Sequence, residues 1–186
     1  MDREPAPPYR GEGPHALWHF SEDPGLRVFR PHVAATAVEE DAWVWAVDTR
    51  HAPFYWFPRD CPRGCVWAGP DTTGEDRERF FGHTAATRLH VIGSSWLGAV
   101  QRTRVYAYRL PPETFVPHSV GGYWVSTATV EALERVEVDD LLARHAEAGI
   151  ELRITPDVWA FWNVVVASTI EFSGIRLRNA AVANGG

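Results

Sequence analysis

Lysine is missing from this chain: all 18 basic residues are arginine. That excludes Schiff-base chemistry on a lysine amine, and it excludes a phosphate loop of the Walker type, which needs Gly-Lys-Ser/Thr. Any anion site must be built from guanidinium forks or backbone amides. Cysteine is scarce. Cys61 and Cys65, in Cys-Pro-Arg-Gly-Cys, are too few for a four-thiolate zinc site. The first residues, Met-Asp-Arg-Glu-Pro, lack the apolar core of a signal peptide. Free thiols in a reducing cytoplasm are the expectation. Long apolar runs are also missing. The longest, around Val164 to Ala167, falls far short of a membrane span. Positive charge is in deficit, with a net charge of −6 and no basic stripe, which argues against nucleic acid as a bulk partner.

Tryptophan, in contrast, is plentiful. Nine Trp in 186 residues point either to a thick core or to a stacking surface, because the indole pairs a large apolar body with a polar tip. The length suits one domain able to fold without staples. Four prolines and several charges among small residues make 1–14 a disordered leader. Residues 15–179 read as one globular domain, and 180–186 as a flexible tail.

Ala42-Trp43-Val44-Trp45-Ala46-Val47 is the clearest strand, apolar on both faces and so central in its sheet. Alternating patterns predict further strands over Ala16–Phe20, Arg88–Ile92, Thr103–Leu110, Tyr123–Ser126 and Val130–Val138. Capping residues and acids in the first turn predict helices from Thr72 or Thr73 to Phe81, from Ser94 or Ser95 past Val100, and from Asp139 to Ala148. A long apolar helix is predicted over Asp157–Phe172. Strands, short helices, strands and then helices in this order fit an α+β fold: a curved, mostly antiparallel sheet with flanking helices.

Two segments carry a resemblance: Trp18-His19-Phe20-Ser21-Glu22-Asp23-Pro24 and Tyr55-Trp56-Phe57-Pro58-Arg59-Asp60-Cys61-Pro62-Arg63. With Glu151-Leu152-Arg153-Ile154-Thr155-Pro156 and Ser173-Gly174-Ile175-Arg176-Leu177-Arg178-Asn179, the chain resembles a small bacterial family of unknown function from about Leu17 to Asn179. That family implies no activity. The chain also resembles, more weakly, the ADP-ribosyltransferase architecture. The likeness implies NAD as cofactor, with His19 holding the nicotinamide ribose and Val44-Trp45-Ala46 and Tyr55 in the region that meets the nicotinamide ring. The acid of a later strand would fall near Gly122-Tyr123-Trp124-Val125-Ser126, where none stands; Glu131 and Glu134 are the nearest carboxylates.

The candidate site residues follow from the same segments. His19 beside Glu22 is a candidate base or ribose binder, and equally a ring that holds the acidic turn. Arg59 and Arg63 could clamp a phosphate or carboxylate, or pair internally with Asp60. Trp45 and Tyr55 could stack on a flat ligand, or fill core. Cys61 could be a nucleophile beside arginine, or a small buried hydrophobe. Cys61, Cys65 and His51 would supply only three ligands to a metal. The expectation is a small-molecule-binding domain, a nucleotide-dependent transferase or hydrolase using His19 and Glu22 with Trp45, Tyr55, Arg59 and Arg63. The alternative is a non-catalytic module that recognises a ligand or protein through an aromatic cleft.

Overall fold

The computed structural model describes residues 16–33, 41–118 and 122–180. The leader expected over 1–14 lies outside them, as does the expected tail from 181 onward. The strands are β1 (Leu17–Ser21), β2 (Val28–Phe29), β3 (Val44–Asp48), β4 (Arg63–Trp67), β5 (Arg88–Gly93), β6 (Val105–Leu110), β7 (Val116–His118), β8 (Tyr123–Ser126), β9 (Val130–Glu131), β10 (Glu134–Val138), β11 (Ile150–Thr155) and β12 (Glu171–Ile175). The α-helices are α1 (Gly74–Phe81), α2 (Leu97–Arg102), α3 (Leu141–Glu147) and α4 (Val158–Val166). The fold is α+β, and its sheets are antiparallel apart from one pair of strands.

The described residues form two compact units, each assembled from two stretches. Among those residues, the first joins the described parts of 16–56 and 104–139, and the second joins Phe57–Thr103 to 140–180.

The first unit is built on a six-stranded antiparallel sheet in the order β10-β6-β1-β3-β8-β7, with a two-stranded β2-β9 ribbon. Its register sorts the side chains by face, because neighbours along a strand alternate and cross-strand partners share a side. Leu17, Val44, Ala46, Tyr108 and Leu110 point to one face and form a core with Phe29, Phe115 and Val130. Trp18 and Val47, directly opposite each other, lie on the second face and are also buried. The Trp18 indole N–H, enclosed in protein, donates to Thr49 Oγ1 at 3.2 Å, which satisfies it. A sheet apolar on both faces fits the β1 and β3 sequences, which lack polar alternation.

The second unit has a four-stranded sheet in the order β11-β5-β4-β12, in which β4 runs antiparallel to both neighbours and β5 runs parallel to β11. Parallel neighbours need a long crossover. Here it contains α2, the whole of 104–139 and α3. Each residue of β4, Arg-Gly-Cys-Val-Trp, is buried, as its central place demands. Gly64 of β4 lies opposite Gly174 of β12. The bare patch these glycines leave takes the rings of α4: a Cβ on Gly64 would sit 3.2 Å from Phe161, and one on Gly174 only 2.6 Å from Trp162. Val66, Leu89, Val91, Val165 and Ile170 continue this core.

Asp157 caps α4, accepting from the amides of Trp159 at 2.8 Å and Ala160 at 3.1 Å. The helix expected to reach Phe172 stops at Val166, and Glu171–Ile175 pairs with β4 instead. Local side-chain chemistry ends it. Ser168 Oγ donates to the Val165 carbonyl at 2.7 Å, and the Thr169 amide and hydroxyl both turn to Asp76 Oδ2 at 2.7 Å. Hydropathy alone ran past these three competing donors.

Candidate functional site

Rings accumulate on the second face of the six-stranded sheet. Trp43 and Trp45 stand two apart along the β3 segment, His118 and Tyr123 face each other across β7 and β8, and Phe20 comes from β1. All these positions share a face by strand alternation. Tyr55 joins them from the 3-10 turn Ala52–Tyr55, which Pro53 helps to form at a position where it forgoes no needed hydrogen bond.

The rings touch in series. Trp43 meets Trp45 at 5.5 Å and His118 at 5.2 Å between centroids, and Trp45 meets His118 at 4.9 Å, all edge to face. Trp45 then meets Tyr123 at 6.1 Å, Tyr123 meets Tyr55 at 6.3 Å, and Tyr55 lies nearly parallel to Phe20 at 6.0 Å. These distances suit the ring quadrupole, which favours edge contacts and offset stacks. Tyr55 donates its hydroxyl to that of Tyr123 at 3.1 Å. Every ring in the row is half-buried, whereas Trp18 on the same face is fully enclosed.

A carboxylate–imidazole pair closes β3, its carboxylate on the face of Leu17 and opposite that of Tyr123. Asp48, the last residue of β3, has Oδ1 2.8 Å from His51 Nδ1 and also accepts the His51 amide at 2.9 Å. Their side chains remain 16% and 13% exposed, so water reaches both. A carboxylate only accepts, so Nδ1 carries the proton and Nε2 is the basic atom of the neutral ring. Gly122, next to Tyr123, accepts the Asp48 amide at 2.9 Å through its carbonyl. Its φ is +71°, and a Cβ there would fall 1.9 Å from His51 Nδ1. Glycine is therefore required twice, for backbone conformation and for room.

Trp45 and Tyr55, two residues expected at a ligand, belong to this row. His19 does not. One residue from Phe20 along β1, its ring lies on the opposite sheet face, 4.8 Å from core residue Phe29. Its Nδ1–H donates to the Trp45 carbonyl at 2.9 Å, just beyond the last β1–β3 pair, Trp18↔Val47. The imidazole continues a ladder that the backbone has stopped making. Glu22 is exposed in the turn after β1. The rest of that motif builds the turn: Ser21 Oγ accepts the Asp23 amide, Asp23 Oδ1 accepts the Gly25 amide, and Tyr108 donates to the Asp23 carbonyl at 2.6 Å.

Arg59 and Arg63 belong to the second unit. Arg59 is exposed. Arg63 is only 2% exposed, donates to the Cys61 carbonyl at 2.8 Å and lies over the Phe57 ring at 5.1 Å. Its guanidinium holds the Pro-Arg-Asp-Cys-Pro loop from inside. Asp60 fastens the outside of that loop, its carbonyl accepting from Asn179 at 2.8 Å. Burial pushes both Cys61 and Cys65 up to about 12, against a smaller opposite pull from Arg63, so neither is a thiolate at neutral pH. Among the described residues no three His, Cys, Asp or Glu side chains group to hold a metal, and no helix is long and apolar enough to cross a membrane.

A family model described as a family of unknown function, DUF6886, matches residues 18–180. The chain belongs to the DUF6886 family. No curated protein and no solved structure matches it. The match spans the motif residues of both units, so the features above are those of a DUF6886 domain. Within it, sequence reasoning overlooked Asp48 and set His51 with Cys61 and Cys65 rather than beside an acid. The usable signal was an acid closing a strand with histidine three residues on, a spacing at which a turn folds one side chain onto the other.

Proposed function

We infer that the first unit of this DUF6886 domain binds a planar small molecule on its ring-lined sheet face, with Trp45 and Tyr55 as stacking groups. The observation that carries this reading is the half-buried state of a continuous row of rings, Trp43 to Phe20, on the same sheet face on which Trp18 is enclosed. Stacking on a flat ligand is worth about 1–3 kcal/mol per ring and tolerates varied chemistry.

A nucleotide is the first ligand class to test, and NAD the first member, because the ADP-ribosyltransferase likeness also rests on Trp45 and Tyr55. The transferase form of the idea is weaker. It assigned the ribose to His19, whose ring packs against Phe29, and the phosphates to Arg59 and Arg63, of which Arg63 is buried and donates to the Cys61 carbonyl of its own loop. The experiment is a titration of the full chain with NAD, ATP and nicotinamide, followed by indole fluorescence and thermal melting. A ligand at 100 times its Kd raises stability by about 2.7 kcal/mol. Quenching that Trp45→Ala removes supports the reading. Unaltered fluorescence and melting with all three overturn the nucleotide assignment.

A further inference from the structure

The edge of a sheet is a template for another strand, and proteins guard it with charges or proline. Among the described residues, three edges of the two larger sheets are guarded. β10 exposes Glu134, Arg135 and Glu137, β7 carries Pro117, and β11 carries the Glu151–Arg153 ion pair at 3.0 Å. The fourth edge, β12, is open. From Phe172 to Ile175 it holds neither charge nor proline, and Phe172 is 41% exposed.

The helix over this edge is uncovered as well. α4 has one polar residue, Asn163, in nine. A helix apolar all round belongs inside a protein. Yet Trp162 is only half-buried, and Val166, one turn on and on the same side, is 51% exposed. Trp162 reaches the edge strand itself. A Cβ on Gly174 would fall 2.6 Å from it, and it meets Phe172 edge to face at 5.2 Å.

We propose that β12 is a self-association edge, at which two copies of this chain pair antiparallel about a two-fold axis through Ser173. Residues opposite each other in an antiparallel pair share a sheet face. Of the registers that satisfy this, the one centred on Ser173 pairs all five residues of both strands. It sets each Phe172 against Gly174 of the second copy, beside the Trp162 that covers that glycine; a ring laid on an edge glycine stabilises the pair. Charge fits the same arrangement. β12 begins at Glu171 and is followed by Arg176 and Arg178, so antiparallel strands bring the acidic end of each copy to the basic end of the other. The two four-stranded sheets become one, through an interface to which both copies offer the same surface.

The test is sedimentation velocity of the full chain at about 5 and about 200 μM, a span suited to a small interface. Wild type should show twice the mass of one chain at the higher concentration. Phe172→Lys should stay monomeric at both, with its melting temperature at the lower concentration unchanged. Should Phe172→Lys fail to fold, Ser173→Cys decides. The axis sets that thiol against its own copy, so oxidation with copper–phenanthroline should lock a covalent dimer. Ile154→Cys, exposed on the β11 edge, should give none, and the native thiols are enclosed. A wild type that is monomeric at both concentrations overturns the proposal and leaves the edge to a different protein. A dimer that survives Phe172→Lys, or that Ser173→Cys does not lock, also overturns it, because the copies then meet elsewhere.

Discussion

His90 and His145 hydrogen-bond to each other inside the second unit, Nδ1 to Nε2 at 3.1 Å. The proton positions follow from a third group. His145 Nδ1 lies 2.6 Å from the Leu141 carbonyl, which can only accept, so Nδ1 is protonated. Neutral His145 then accepts at Nε2, and His90 donates from Nδ1. A second proton on His145 would break this chain. Burial holds His145 down at about 4 and His90 well below the ordinary range, with Arg63 nearby adding to both and Arg88 to His90.

Acid should therefore weaken the fold well before the carboxylates titrate. The folded pKa values lie below the unfolded value near 6.5, so the unfolded chain binds more protons in between. Stability is fully present above about pH 6.5 and is lost as pH falls from there toward 4. His145 alone contributes on the order of 3 kcal/mol of that loss, at about 1.4 kcal/mol per unit. Urea midpoints measured at pH 7 and pH 5 check this. His145→Leu should cost about 1–3 kcal/mol at pH 7, by orphaning the His90 N–H, and should flatten the slope. A wild-type midpoint that does not move between those pH values refutes the account.

Cys61 and Cys65 should resist alkylation in the native state. Both are fully enclosed, and burial pushes each up to about 12. Iodoacetamide at pH 8 is expected to label neither thiol in native protein and both in guanidinium, read by intact mass. Rapid native labelling of Cys61 would restore the nucleophile reading.

The histidine pair also marks what could be read from the sequence. β3, β5, β6 and β8 were legible because alternation and β-branched or aromatic content speak within a few residues. The caps Thr73, Asp140 and Asp157 were legible for the same local reason. His90 and His145 are 55 residues apart and meet only because α3 packs beside the parallel β5–β11 pair, so no local pattern announces them. His19 was misjudged differently. Its motif was specific, but a motif does not say which face of a strand its imidazole takes, and one residue decides that. Arg63 gave the opposite lesson: a charge inside Arg-Gly-Cys-Val-Trp resembles a ligand clamp, yet it is spent on a loop carbonyl and a ring.

Gly174→Ala should destabilise the second unit. The added methyl would meet Trp162 at 2.6 Å and Leu177 at 2.8 Å, and the indole is already confined by Phe172 at 5.2 Å. Overpacking of this kind costs about 1–3 kcal/mol, a fall in Tm of roughly 2–4 °C per kcal/mol for a chain of this size. Gly74→Ala is the control, since a Cβ there meets nothing within 4 Å. Equal melting of the two variants would mean that Trp162 has room that the packing denies it.

The turn after α4 is tied to the start of α1 by Asp76. Its Oδ2 accepts from the Thr169 amide and hydroxyl, both at 2.7 Å, and Thr73 closes the group by accepting the Asp76 amide at 3.2 Å. The bonds from Thr169 hold the carboxyl below its usual range. A lowered folded pKa means that this contribution is present above the unfolded carboxylate pKa and disappears as pH falls through the folded one. Its window is thus more acidic than that of the histidine pair, and the two can be told apart. Asp76→Ala should lower Tm at pH 7, and that deficit should shrink as pH falls below the ordinary carboxylate range toward the lowered folded pKa, where the wild-type carboxyl takes up its proton too. Thr73→Ala removes the cap together with the hydroxyl that donates to Asp76 Oδ2 at 3.3 Å, so it should cost about 1 kcal/mol at pH 7 and less in acid. A deficit in Asp76→Ala that persists unchanged in acid would assign the tie to packing rather than to the charged carboxylate.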